Sequence, residues 1–189
     1  MDLHEGGTIL DANLLNTILI IVLSYLLGSV PTAYFIGRLR GVNIFEVGSG
    51  NMGGTNAARA MGIQWGVLVV VLDVLKGVAA VLIAREIMPS HTYAAGIIAA
   101  IAVVIGHSWS LFATLLTMSI NKTGKLSIKG GKGAATALGT LIMIAPAYII
   151  VAALTLAALI IAFTRFVSLG VLAALLIAAI GMIALSIMD

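Results

Sequence analysis

Two stretches of this sequence carry residue types suited to holding an anion: VGSGNMGGTNAAR at 47–59 and KGGKGAATALG at 129–139. Small residues let a backbone approach a ligand closely, and successive N–H groups can ring a phosphate. The first stretch supplies Gly48, Ser49, Gly50, Asn51, Thr55 and Asn56, with Arg59 as a fixed charge. The second supplies Lys129, Gly130, Gly131, Lys132 and Gly133. A helix beginning at Ala134 would aim its N-terminal dipole and free N–H groups back at 130–133. The chemistry expected is phosphate handling at a membrane surface. Glycines that only permit tight turns and close helix packing are the plainer alternative.

Other polar residues stand inside apolar segments. Asp73 and Lys76 are spaced i, i+3 and so share one helix face. Each charge alone costs about 2.5–3.5 kcal/mol at mid-membrane, so they pair with each other or face a wet cavity. They are either a structural ion pair or a polar wall of the substrate site. His107 ends the apolar run IAAIAVVIG and precedes Ser108 and Trp109. It is an interfacial residue beside a headgroup anchor, or a group that accepts a proton or binds phosphate. Ser168, just after Arg165, either contacts substrate or bonds backward into its own helix.

Two formal matches fail on context. GSGNMG at 48–53 fits the dinucleotide fingerprint, and Asp73 follows at a suitable distance, but no strand precedes it and no βαβ unit follows. KGGKG lacks the spacing of a nucleotide-binding P-loop. Without cysteine, and with three scattered histidines, the sequence offers neither a disulfide framework nor a metal centre, and no cofactor is expected. No charge run or aromatic series suggests nucleic acid.

The elements that must position these residues are membrane helices. Hydrophobic residues make up 61% of the 189 and charged ones 9%, against roughly a quarter charged in soluble domains. Mean hydropathy is +1.20. Residues 12–37 carry no formal charge, enough to cross a bilayer, with Pro31 near the end kinking or separating the last turns. This first segment is too long, and its flank too acidic, for a cleavable signal. Residues 38–61 read as a structured loop with short helical pieces, 62–88 as a second span and 93–118 as a third. Residues 119–133 form the second basic loop. Pro146 divides the following apolar run into a short helix at 134–144 and a span at 147–164; 165–168 connects to a last span at 169–188. The fold expected is all-α, a polytopic bundle of about five to six spans or half-spans, forming one domain over 1–189.

Positive charge sets orientation. Arg38, Arg40, Arg59, Lys122, Lys125, Lys129 and Lys132 lie in the two basic loops, opposite the acidic N-terminus and the Arg85–Glu86 pair. The loops are expected in the cytoplasm and the N-terminus outside, in a multi-pass cell-membrane protein. Arg165 joins the basic side if the Pro146 break reverses the chain.

Six segments in order resemble the bacterial acyl-phosphate:glycerol-3-phosphate acyltransferase family: SYLLGSVPTAYFIGRLRG at 24–41, VGSGNMGGTNAARAMG at 47–62, VLDVLKG at 71–77, GHSWSLF at 106–112, KGGKGAATALG at 129–139 and RFVSLG at 165–170. The resemblance implies transfer of a fatty acyl group from acyl phosphate to the 1-hydroxyl of glycerol 3-phosphate, giving lysophosphatidic acid and phosphate. It implies a helical membrane enzyme without cofactor, surrounded by membrane lipid and functionally linked to the enzyme that supplies acyl phosphate. It assigns an essential serine and arginine to Ser49 and Arg59, and glycerol-phosphate binding to Gly130, Gly131, Lys132 and Gly133. Ser49 and Asn51 would then orient the donor or the attacking hydroxyl, with His107 a protein alternative as proton acceptor. The sequence departs from the pattern in a longer connector over 113–128, and in ending at Asp189, before the final span and basic segment of the family. A transporter for a small organic anion is the rival reading, although no internal repeat supports it. A catalytically inactive structural member of the family is another.

Overall fold

The computed structural model describes residues 5–120 and 128–188, with the backbone alone at 5–11, 119, 120, 167, 168, 186 and 188. It is helical: α1 (Glu5–Ser29), α2 (Thr32–Leu39), α3 (Gly54–Met61), α4 (Ile63–Ile87), a 3-10 turn (Pro89–His91), α5 (Thr92–Ser108), α6 (Leu111–Ile120), α7 (Ala134–Ile144), α8 (Ala147–Thr164) and α9 (Val167–Met188). Among the described residues there is no β-strand, only an isolated antiparallel bridge between Ser110 and Lys129. Among the described residues, four segments are long and apolar enough to cross a membrane: Ala12–Leu39, Ile63–Ile87, Pro89–Ser108 and Ala147–Thr164. The 25 residues of α4 extend about 37 Å, more than a hydrocarbon core needs. Leu15, Val67, Leu75, Val151 and Leu172 are each more than half exposed, as lipid-facing side chains are.

Chain contacts divide the protein into Met1–Thr140 and Leu141–Asp189. In the first unit, α1 and α5 run side by side in the same direction at backbone contact. A Cβ on Gly28 would overlap the Val103 carbonyl, and one on Gly106 the Tyr25 carbonyl. Small residues make this approach possible where lipid tails give no hydrophobic drive to association. Helix α4 runs the opposite way, since Ala84 near its C-terminus and Met88 just beyond it share a cluster with Ile20 of α1 and Ala95 of α5. The connector after α2 and the connector after α5 therefore emerge at one end, opposite the Pro89–His91 turn. In the second unit α8 and α9 form an antiparallel pair around Ile149, Ala153 and Ala178. Arg165 ends α8 in the left-handed region (φ 61°).

Three expectations change. The apolar stretch 93–118 is two helices rather than one span: Ser110 interrupts it, its backbone paired with Lys129 and its hydroxyl capping α6 by accepting from Ala113 N–H at 2.9 Å. Helix α6 runs two residues into the connector expected over 119–133, ending at Ile120; Lys122 and Lys125 lie outside the described residues. The last helix starts at Val167 rather than at 169, since the left-handed Arg165 turns the chain within two residues.

Candidate active site

The first glycine loop, 40–53, is organised from within. The Asn56 side chain, 2% exposed, donates to the carbonyls of Ile44 (3.2 Å), Val47 (3.1 Å) and Asn51 (3.0 Å), and accepts from Ser49 N–H (3.0 Å). The loop curls around this amide. Gly48 and Gly50 take positive φ (60° and 64°), and a Cβ at Gly48 would overlap Asn56 Oδ1, so glycine is required there. Asn51 Oδ1 accepts from Gly53 N–H at 2.9 Å, at the start of α3. Ser49, Thr55 and Arg59 remain exposed, the last two on α3. Arg40 lies 4.9 Å over the Trp65 ring, which occupies that cation on the protein itself.

The second glycine loop lies across the C-terminal end of α5. Gly131 N–H donates to the His107 carbonyl at 2.8 Å, Ser110 N–H to the Lys129 carbonyl at 2.9 Å, and Lys129 N–H to Thr114 Oγ1 at 3.0 Å. A Cβ on Gly130 would overlap the Ser108 carbonyl, and one on Gly131 the His107 ring. Gly133 (φ 71°) then opens α7, its carbonyl accepting from Ala137 N–H at 2.8 Å. The first N–H groups of a helix have no intrahelical acceptors, so they face the KGGKG run. Lys132 is exposed and Lys129 half-buried.

Beneath this loop lies a buried polar cluster. Asp73 Oδ1 is 2.9 Å from Lys76 Nζ and accepts from Thr32 Oγ1 at 2.7 Å. Lys76 also donates to the Val30 carbonyl at 3.2 Å. His107, 3% exposed, brings Nδ1 to 3.8 Å from the same carboxylate oxygen, beyond hydrogen-bond reach. Of the two readings open for Asp73 and Lys76, the ion pair is present in the structure, and His107 is an interior residue rather than an interfacial one. Helix α6 joins the two loops: Ala113 belongs to the core cluster with Ile44 and Met52 of the first, and Thr114 holds Lys129 of the second. The Ser168 side chain lies outside the described residues.

Sequence reasoning missed Thr32, Val30, Ser110 and Thr114. The only available signal was a run of small polar residues around Pro31 and after Trp109, at helix breaks where backbone groups need partners. Asn56, a candidate phosphate ligand by composition, has both ends of its amide engaged by the loop it shapes.

Comparison with known proteins bears on this arrangement. The family model for glycerol-3-phosphate acyltransferase matches residues 18–188. Glycerol-3-phosphate acyltransferase 2 of Moorella thermoacetica is 40% identical over 162 residues, covering 85% of this chain and 75% of that protein. Glycerol-3-phosphate acyltransferase 1 of Deinococcus radiodurans is 42% identical over 159 residues, covering 82% and 71%. The fold is similar to the crystal structure of PlsY (YgiH), an integral membrane glycerol 3-phosphate acyltransferase, in its glycerol 3-phosphate form. The TM-score is 0.72 at 33% identity, over 89% of this chain and 76% of that one. The lysophosphatidic acid form of the same protein gives a TM-score of 0.71. With the matched region enclosing both glycine loops and the buried cluster, this integral membrane protein belongs to the glycerol-3-phosphate acyltransferase family.

Proposed function

We propose that this chain transfers a fatty acyl group from acyl phosphate to the 1-hydroxyl of sn-glycerol 3-phosphate, releasing lysophosphatidic acid and inorganic phosphate. The observation that carries the reading is the KGGKG run seated on the end of α5 and leading directly into α7, with the exposed Lys132 within it. A helix N-terminus with its first N–H groups unpaired within the helix, and a cation beside it, suit a phosphomonoester. We assign this loop to glycerol 3-phosphate, through Lys129, Gly130, Gly131, Lys132 and Gly133. The first loop, through Gly48 and Gly50, together with Thr55 and Arg59 of α3, takes the phosphate of the donor, and Ser49 and Asn51 orient the reacting groups.

Acyl phosphate is already activated, so no covalent enzyme intermediate is needed. The hydroxyl oxygen attacks the acyl carbonyl carbon, the bond from that carbon to the phosphate oxygen breaks, and the departing phosphate takes the hydroxyl proton. The burial of His107 beneath Gly131 supports giving that proton to phosphate rather than to imidazole. Alignment and charge neutralisation then carry most of the rate. The basic loops lie in the cytoplasm and the N-terminus outside. Their emergence from one end of the α1–α4–α5 bundle, together with the positive-inside rule, supports this. Residues 1–189 work as one acyltransferase domain.

The test is purified protein in a bilayer mimic, given labelled glycerol 3-phosphate with palmitoyl phosphate or palmitoyl-CoA. Lysophosphatidic acid is expected from the acyl phosphate alone. Product from the thioester, or from neither donor with folded protein, refutes the proposal.

A further inference from the structure

Asp73 and Lys76 are the only buried residues with a formal charge among those described, at 1% and 6% exposure. A buried ion pair is a poor stability device, since well-packed apolar residues often serve as well. What this pair touches suggests another task. Thr32 and Val30, its hydrogen-bond partners, flank Pro31 at the break between α1 and α2. Helix α2 runs from that break directly into the first glycine loop. On the other side, His107 Nδ1 stands 3.8 Å from the same Asp73 oxygen and has no hydrogen-bond partner, although the ring is 3% exposed. The opposite edge of the ring is where a Cβ of Gly131 would fall, so the second loop rests directly on the imidazole. One carboxylate oxygen therefore bonds the break from which α2 leads into the first loop, and stands beside the ring on which the second rests.

We propose that Asp73 is a positioning residue for acyl transfer. Through Thr32 and Lys76 it holds the Pro31 break that leads into the first loop, and through His107 it supports the second. It thereby sets the separation of the donor and acceptor phosphates. This rests on the assignment of the loops to the two substrates given above. Two bound reactants displaced by an ångström lose turnover even when each still binds, because alignment is a large part of the rate.

The test uses the full chain in a bilayer mimic, with initial rates per folded molecule over both substrate concentrations. Thr32→Val keeps the side-chain shape and deletes the hydroxyl that reaches Asp73. It is expected to lower kcat about tenfold while leaving both KM values within about twofold. The neutral pair Asp73→Asn/Lys76→Met avoids an orphaned buried charge. If the pair were only structural, this double variant would recover both stability and kcat; a positioning role leaves it folded and slow. Wild-type kcat in Thr32→Val, or in the folded double variant, overturns the proposal. So does a rise in one KM with kcat preserved, which would mean one loop is held and not both. An active wild type with unaffected variants removes the positioning role alone. A wild type inactive with either donor removes the acyltransferase reading and this one with it.

Discussion

A single methyl group at Gly131 probes the second loop most directly. The Gly131 N–H is bonded to the His107 carbonyl at 2.8 Å, so the loop cannot lift at this point without losing that bond. A Cβ there would stand 2.9 Å from His107 Cε1, where ordinary contact begins at 3.4 Å, and would overlap Nε2 outright. Relief at Cε1 alone requires a shift of about half an ångström, and Nε2 demands more. The ring has little room to yield, being 3% exposed with Asp73 3.8 Å from its Nδ1. Overpacking of this kind costs about 1–3 kcal/mol. If the strain falls on the substrate-bound loop, that corresponds to about five- to 150-fold in rate or affinity. Gly131→Ala is therefore expected to raise the KM for glycerol 3-phosphate about tenfold or more, with the KM for palmitoyl phosphate within about twofold and folded yield retained. The assay is labelled glycerol 3-phosphate titrated at saturating palmitoyl phosphate. A glycerol-phosphate KM equal to that of wild type in folded Gly131→Ala would refute the claim that this contact shapes the loop proposed to bind glycerol 3-phosphate.

Three further outcomes follow from the geometry. Asn56→Ala removes four hydrogen bonds at a buried position and leaves carbonyls of the first loop unsatisfied, a loss of roughly 2–4 kcal/mol; thermal unfolding in detergent should register it, and a Tm change below about 2 °C would mean the loop is held by other means. Ser49 and Arg59 are exposed, so Ser49→Ala and Arg59→Ala should fold normally and lose turnover, and wild-type rates in either variant would strip that residue of its direct role. Because the chain has no cysteine, single thiols report sidedness: Ser90→Cys should react with an impermeant maleimide on intact cells, and Leu39→Cys, beside the first loop, only after the membrane is opened, with the reverse pattern inverting the orientation.

Much of the fold is legible because the bilayer restricts the choices. A long uncharged run must satisfy its own backbone, and only a helix does so within one segment. Proline marks the breaks: Pro31 separates α1 from α2, and Pro146 separates Ala134–Ile144 from Ala147–Thr164, as the sequence indicates. The break at Ser110 carries no such mark. It exists because Ser110 pairs with Lys129 and bonds the Ser29 carbonyl, partners far away in the chain.

The sequence by itself determined a helical membrane protein, the composition of two glycine-rich basic loops, and a pair of opposite charges one turn apart on α4. Those follow from local chemistry: apolar run length, glycine's small size and the helical repeat. Tertiary structure alone decided what each polar group does. It turned Asn56 inward to shape the first loop, seated Gly131 on His107, and brought Thr32, 41 positions from Asp73, to the same carboxylate oxygen as Lys76. Periodicity tells which residues share a face of one helix. Which faces meet depends on how closely α1, α4 and α5 pack, and that was settled by small residues such as Gly28 and Gly106, whose contacts lie beyond the reach of any local pattern.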